Sequence, residues 1–130
     1  MTKKEHIDYW IETAKRDWRT TQHMLKSKDY VPALFFGHLV LEKLLKAHWV
    51  KDNEQNHPPK IHNLISLADK ITYPFTDEEL IFMSRMNDFQ LEGRYPDYNN
   101  NIYKLYKRKE TEPILKEVDT LRKCLLKNLQ

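Results

Sequence analysis

Glycine is almost missing from this chain. Of 130 residues only Gly37 and Gly93 are glycine, so no phosphate cradle of the Walker A or GxGxxG kind can be built. The same shortage argues against β-rich folds, whose tight hairpins lean on glycine. A single cysteine, Cys124, excludes an internal disulfide and a cysteine-based zinc site, and it suits a reducing cytoplasm. Long apolar runs are also lacking. The longest, residues 31–41, is interrupted by Gly37 and His38 and closed by Glu42, far short of the roughly 20 residues a bilayer span needs. Met1 to His6 carries charges and no apolar core of a secretory signal. These absences lead us to expect a soluble, cytoplasmic protein without a membrane segment.

What is present fits one globular domain over residues 1–130. Hydrophobic residues make up 40% and charged residues 32%, which places the chain outside the disordered and fibrous classes. The net charge of +3 is unevenly spread. Residues 52–98 carry nine acids against four bases, and residues 99–130 carry eight bases against four acids. A basic end of this kind either attracts phosphates or forms a solvated surface.

Helical spacing runs through the whole chain. Thr2 and Glu5 form a capping box ahead of Ile7, Trp10, Ile11, Ala14, Trp18, Thr21, Met24 and Leu25, which recur every three or four residues. That spacing predicts a long first helix ending near Lys28 and Asp29. A second helix is expected from Pro32 to about Lys51, apolar nearly all round and therefore central. A third is expected from about Ile61 to Ile71, and Thr76 with Glu79 caps a fourth through about Asp88. Gly93 and Pro96 break the chain, residues 102–109 offer a further turn or two, and a last helix begins around Thr111 to Pro113. The expected architecture is all-α, an up-and-down antiparallel bundle of four to five helices.

Three features stand out as chemistry-bearing. His38, Glu42 and Lys46 are spaced by four on the second helix, which stacks them on one face. They read either as its solvent-facing stripe or as a polar patch at a groove or subunit interface. Arg94-Tyr95-Pro96-Asp97-Tyr98 combines an arginine suited to bidentate phosphate binding with tyrosines for stacking. Its other reading is a structural turn. The run from Tyr103 to Lys109 interleaves bases and aromatics as single-strand binders do, or forms a solvated helix end. Six histidines suggest a metal, yet His57 and His62 have no third histidine or cysteine nearby in sequence. No metal and no other cofactor is expected. No serine or cysteine sits in a nucleophile elbow.

Ala14-Lys15-Arg16-Asp17, Glu42-Lys43-Leu44-Leu45-Lys46-Ala47, His62-Asn63-Leu64 and Arg94-Tyr95-Pro96-Asp97, in that order, resemble the prokaryotic HEPN domain (higher eukaryotes and prokaryotes nucleotide-binding), of the nucleotidyltransferase-associated type. The resemblance runs from about residue 6 to the C-terminus. It implies a helical bundle, often dimeric, encoded beside a small nucleotidyltransferase in toxin–antitoxin or nucleotide-handling pairs. Many members are metal-independent ribonucleases that use an arginine and a histidine with four to six residues between them. This chain departs from that pattern: no histidine follows His62, and Gln90 stands at the shortest allowed spacing from Arg85. Arg16 and His23 have the spacing but lie in the first helix, where the family does not place its pair.

The leading expectation is therefore a noncatalytic HEPN-like domain that binds a nucleotide, RNA or a partner protein such as a nucleotidyltransferase. The candidate contacts are Arg94, Tyr95 and Asp97, with Lys43, Lys46, His38 and Glu42 as neighbours. Alternatives are a ribonuclease with a divergent site, His38 or His62 acting with Arg94, and a purely structural interaction module. The load of Trp10, Trp18 and Trp49, with apolar residues on several faces of the second helix, predicts a homodimer burying part of the first or second helix.

Overall fold

The computed structural model describes the backbone of residues 1–94 and 101–129, and the side chains of residues 1–90 and 101–129. Within them the helices are α1 (Lys3–Lys26), α2 (Tyr30–Asp52), α3 (Leu64–Ala68), α4 (Asp77–Arg94), α5 (Asn101–Leu105) and α6 (Arg108–Lys127). Four are long and two are single turns, and the fold is an all-α bundle. Both expected capping boxes form. The Thr2 hydroxyl accepts from Glu5 N–H at 3.1 Å while Glu5 accepts from Thr2 N–H at 3.2 Å. Thr76 and Glu79 do the same at 3.1 and 2.9 Å.

Several boundaries differ from the sequence expectation, each for a local reason. Helix α2 starts at Tyr30, so Pro32 lies within its first turn, where the missing N–H has no intrahelical partner to lose. Helix α3 is confined to one turn; Asn63 Oδ1 caps it by accepting from Ile65 and Ser66 N–H at 2.9 and 3.1 Å. Helix α4 continues past Asp88 to Arg94, through Gly93. A helical glycine costs only about 1 kcal/mol, and the stripe Phe82, Met83, Met86 and Phe89 is buried in the core. Helix α6 begins a turn early because Glu110 accepts from Lys107 N–H at 3.1 Å, leaving Pro113 inside the helix.

Helix α2 is the axis of the molecule and packs against each of the other five helices. Leu34, Leu41, Leu44 and Leu45 are fully buried, each worth roughly 1.5–3 kcal/mol of transfer free energy. Gly37 lets α6 approach closely: a Cβ there would stand 3.0 Å from Leu115 Cδ2. Much of the apolar surplus of α2 is thus consumed within one chain, while Phe35, Phe36, Leu39 and Trp49 stay half-buried. Trp10, Trp18 and Trp49 are half-buried, and Trp18 carries the Arg122 guanidinium 4.9 Å from its ring centre. Among the described residues no helix is long and apolar enough to cross a membrane.

Candidate functional site

The four-residue spacing of His38, Glu42 and Lys46 does align them on α2, but this is not a solvent-facing stripe. His38 is fully buried, Glu42 is 3% exposed and Lys46 6%. The solvated reading fails because Trp10 of α1 and the segment carrying His62 cover this face of α2. A buried carboxylate is costly unless its oxygens are occupied, and here they are. Glu42 Oε2 accepts from Lys46 Nζ at 3.0 Å, and both oxygens lie 3.1 Å from His62 Nδ1. Lys46 Nζ also stands 5.5 Å from the centre of the Trp10 ring, a cation–π contact that shields its open side.

His62 reaches Glu42 from twenty residues away because α3 and α4 are latched together. Leu64 N–H donates to Asn87 Oδ1 at 2.9 Å, and Asn87 Nδ2 donates to Asn63 Oδ1 at 3.2 Å. The latch holds the residue before Asn63 over α2. A carboxylate only accepts, so His62 Nδ1 carries the proton and Nε2 is the free nitrogen. The His62 side chain is 48% exposed while Glu42 behind it is buried. The arrangement is a carboxylate–imidazole dyad with one end in the core and the other at the surface, able to donate to, or take a proton from, a ligand arriving from solvent.

His38 lies one turn before Glu42, its Nδ1 3.8 Å from Glu42 Oε1. Neither ring nitrogen meets a hydrogen-bond partner among the described residues. Burial pushes its pKa down to about 4, against the opposing pull of the Glu42 carboxylate. His38 is therefore neutral at pH 7 and is a wall of the site.

The other candidates fall elsewhere. Lys43 bonds Asp17 of α1 in a half-buried ion pair and ties two helices together. Arg94 ends α4, seven residues beyond Asn87; its side chain, and Tyr95 and Asp97 entirely, lie outside the described residues. His57 does not join His62 but meets the His6 ring edge-on, with centroids 5.1 Å apart. Among the described residues no group of three histidine, cysteine or acidic side chains is arranged to hold a metal ion. Sequence reading singled out Glu42 and His62 separately and missed their meeting, along with the roles of Asn63 and Asn87. The local signal was slight: a histidine directly before a helix-capping asparagine.

Comparison with solved structures finds TT1696 from Thermus thermophilus, which superposes with a TM-score of 0.76 at 18% identity, covering 95% of this chain and 98% of that one. At that identity the likeness speaks for the fold. No curated protein matches the sequence. The family model of the HEPN domain matches residues 7–129, nearly the full length and every helix from α1 to α6, and the chain belongs to the HEPN domain family.

Proposed function

We propose that this chain is a noncatalytic HEPN domain that binds a phosphate-bearing ligand, a nucleotide or RNA, at the surface end of the Glu42–His62 dyad. The single observation that carries the reading is the half-exposed imidazole fixed from behind by a buried carboxylate. Such a ring is preorganised at little entropic cost and presents one polar atom to solvent. Arg94 is the proposed phosphate contact, with Tyr95 and Asp97 beside it; it ends the same helix whose Asn87 holds the His62 segment. Lys43 and Lys46, each committed to a carboxylate, position neighbouring groups and are poorly placed to neutralise a phosphate.

The same dyad favours a second reading, RNA cleavage. A neutral imidazole whose Nδ1–H is held by a carboxylate has the Nε2 lone pair needed to take a ribose 2′-hydroxyl proton. Cleavage also needs a cation for the phosphorane charge, and the commitment of both α2 lysines speaks for binding first. Family membership supports three wider proposals: a homodimer, a nucleotidyltransferase partner in a toxin–antitoxin type pair, and a cytoplasmic location. We also take residues 1–130 as one domain.

Calorimetric titration with nucleotides tests the binding reading on wild type, Arg94→Ala and His62→Ala. Binding lost in both variants supports it; binding unchanged in both rejects the site. Cleavage of single-stranded RNA that persists with chelator and disappears in His62→Ala replaces the noncatalytic reading with the second one.

A further inference from the structure

The basic and aromatic run from Tyr103 to Lys109 plays no part in the Glu42–His62 site. In the fold it meets the turn between α1 and α2, and together they enclose a cleft of about 150 Å³. Lys28, Asp29 and Tyr30 line it from the turn, and Tyr103, Tyr106 and Lys107 from the other side. Ligand pockets for drug-sized molecules run to ~300–1,000 Å³, so this cleft fits one planar ring and not a whole dinucleotide. Tyr106 is a fixed wall, packed edge-on against Phe89 with centroids 4.9 Å apart. Tyr103 is 41% exposed, which leaves it surface to offer.

The turn supplies a second, independent observation. Asp29 N–H donates to Met24 O at 2.8 Å and Lys28 N–H to Leu25 O at 3.1 Å. This is the Schellman closure of α1, whose left-handed position is ordinarily glycine. Here it is Lys28, at φ 66°, and no other non-glycine residue among those described has positive φ. A lysine at a strained position, where glycine would be easier, is the kind of outlier that marks a functional side chain. Its charge stands on the cleft with that of Lys107. Of the lining residues only Asp29 opposes them, and one of its oxygens is occupied by the Ser27 hydroxyl at 2.8 Å.

We propose that this cleft is a binding site for single-stranded nucleic acid, with one base received between the tyrosines and the flanking phosphates on Lys28 and Lys107. Stacking on a tyrosine tolerates any base, and two lysines follow a backbone without reading sequence. The site shares no residue with the Glu42–His62 dyad, so it goes beyond the function proposed above and stands or falls separately from it.

Fluorescence anisotropy with labelled decauridylate, and with decathymidylate as a second arm, tests it on the full chain. Binding of either strand that Tyr103→Ala weakens and His62→Ala does not supports the site, and the stronger arm identifies RNA or DNA as its source. Tyr103→Ala is expected to weaken binding roughly 5- to 150-fold, the range found for loss of one stacked base. Lys28→Gly relieves the backbone and keeps the fold, yet should weaken binding and lower the slope of log K against log salt by about 0.7, one phosphate's worth. His62→Ala should leave binding to this cleft intact. Absence of binding to both strands overturns the proposal. So does binding that Tyr103→Ala and Lys28→Gly leave unchanged, or that inorganic polyphosphate of equal charge reproduces.

Discussion

Replacing Glu42 by glutamine keeps the side chain's size and one hydrogen-bond acceptor for His62 but removes its charge. Lys46, 6% exposed, then faces only a neutral amide and the Trp10 ring at 5.5 Å. Breaking a buried ion pair by removing one member costs about 3–5 kcal/mol, because the partner charge is left uncompensated. For 130 residues the unfolding entropy is about 0.27 kcal/mol per degree, so Tm should fall by about 11–18 °C. Lys46→Met is expected to cost less. Glu42 then keeps His62 Nδ1 at 3.1 Å from both oxygens, so its carboxylate is not left without a hydrogen-bond donor. The double variant Glu42→Gln with Lys46→Met removes both charges, and it should recover most of the loss, since hydrophobic replacement of a buried pair is often neutral. Urea unfolding of the four proteins at pH 7 closes the cycle. If Glu42→Gln unfolds within about 1 kcal/mol of wild type, or the double variant loses the sum of the two singles, then the buried pair does not hold the site as described.

Acid should destabilise the fold above the range where carboxylates titrate. His38 has its pKa depressed by burial to about 4 against about 6.5 unfolded, so the unfolded chain binds the proton first as pH falls. The His38 contribution is complete above about pH 6.5 and shrinks toward pH 4, a loss of about 2 kcal/mol by pH 5. Burial lowers the His48 pKa too, against the pull of its bond to Leu125 O, and adds in the same direction. Urea midpoints measured at about pH 7 and about pH 5 should therefore converge in His38→Gln, and an undiminished pH dependence in that variant would assign the effect elsewhere. Lys28→Gly should stabilise the fold by about 1 kcal/mol by relieving the left-handed position, read as a rise in the urea midpoint; a fall would contradict the strain at φ 66°. Asn87→Ala strips Leu64 N–H of its acceptor at 2.9 Å and should cost about 1–3 kcal/mol. Amide exchange at Leu64 should quicken with it, and unchanged protection would mean the α3–α4 latch does not hold His62. Light scattering checks the proposed homodimer, and a monomer at high micromolar concentration would reject it.

The long helices, and the starts of α1 and α4, were legible in the sequence because they depend on neighbours three and four residues apart. Thr2 with Glu5 and Thr76 with Glu79 cap helices in the chain as written, and the continuous apolar face of residues 33–41 marks α2 as the central element before any packing is known. Helix ends were less legible. Whether α4 runs through Gly93 depends on the burial of Phe82, Met83, Met86 and Phe89 in the core, which outweighs a local propensity of about 1 kcal/mol. The site was legible only in part. Periodicity put His38, Glu42 and Lys46 on one face, but it says which residues share a face and not what covers that face. Packing by α1, α3, α4 and α6 around α2 turned the stripe from a surface into a buried charge cluster. The partner that completes it, His62, is fixed by two asparagines, one capping α3 and one on α4. A contact across twenty residues has no period, and only the tertiary structure brings the imidazole to the carboxylate.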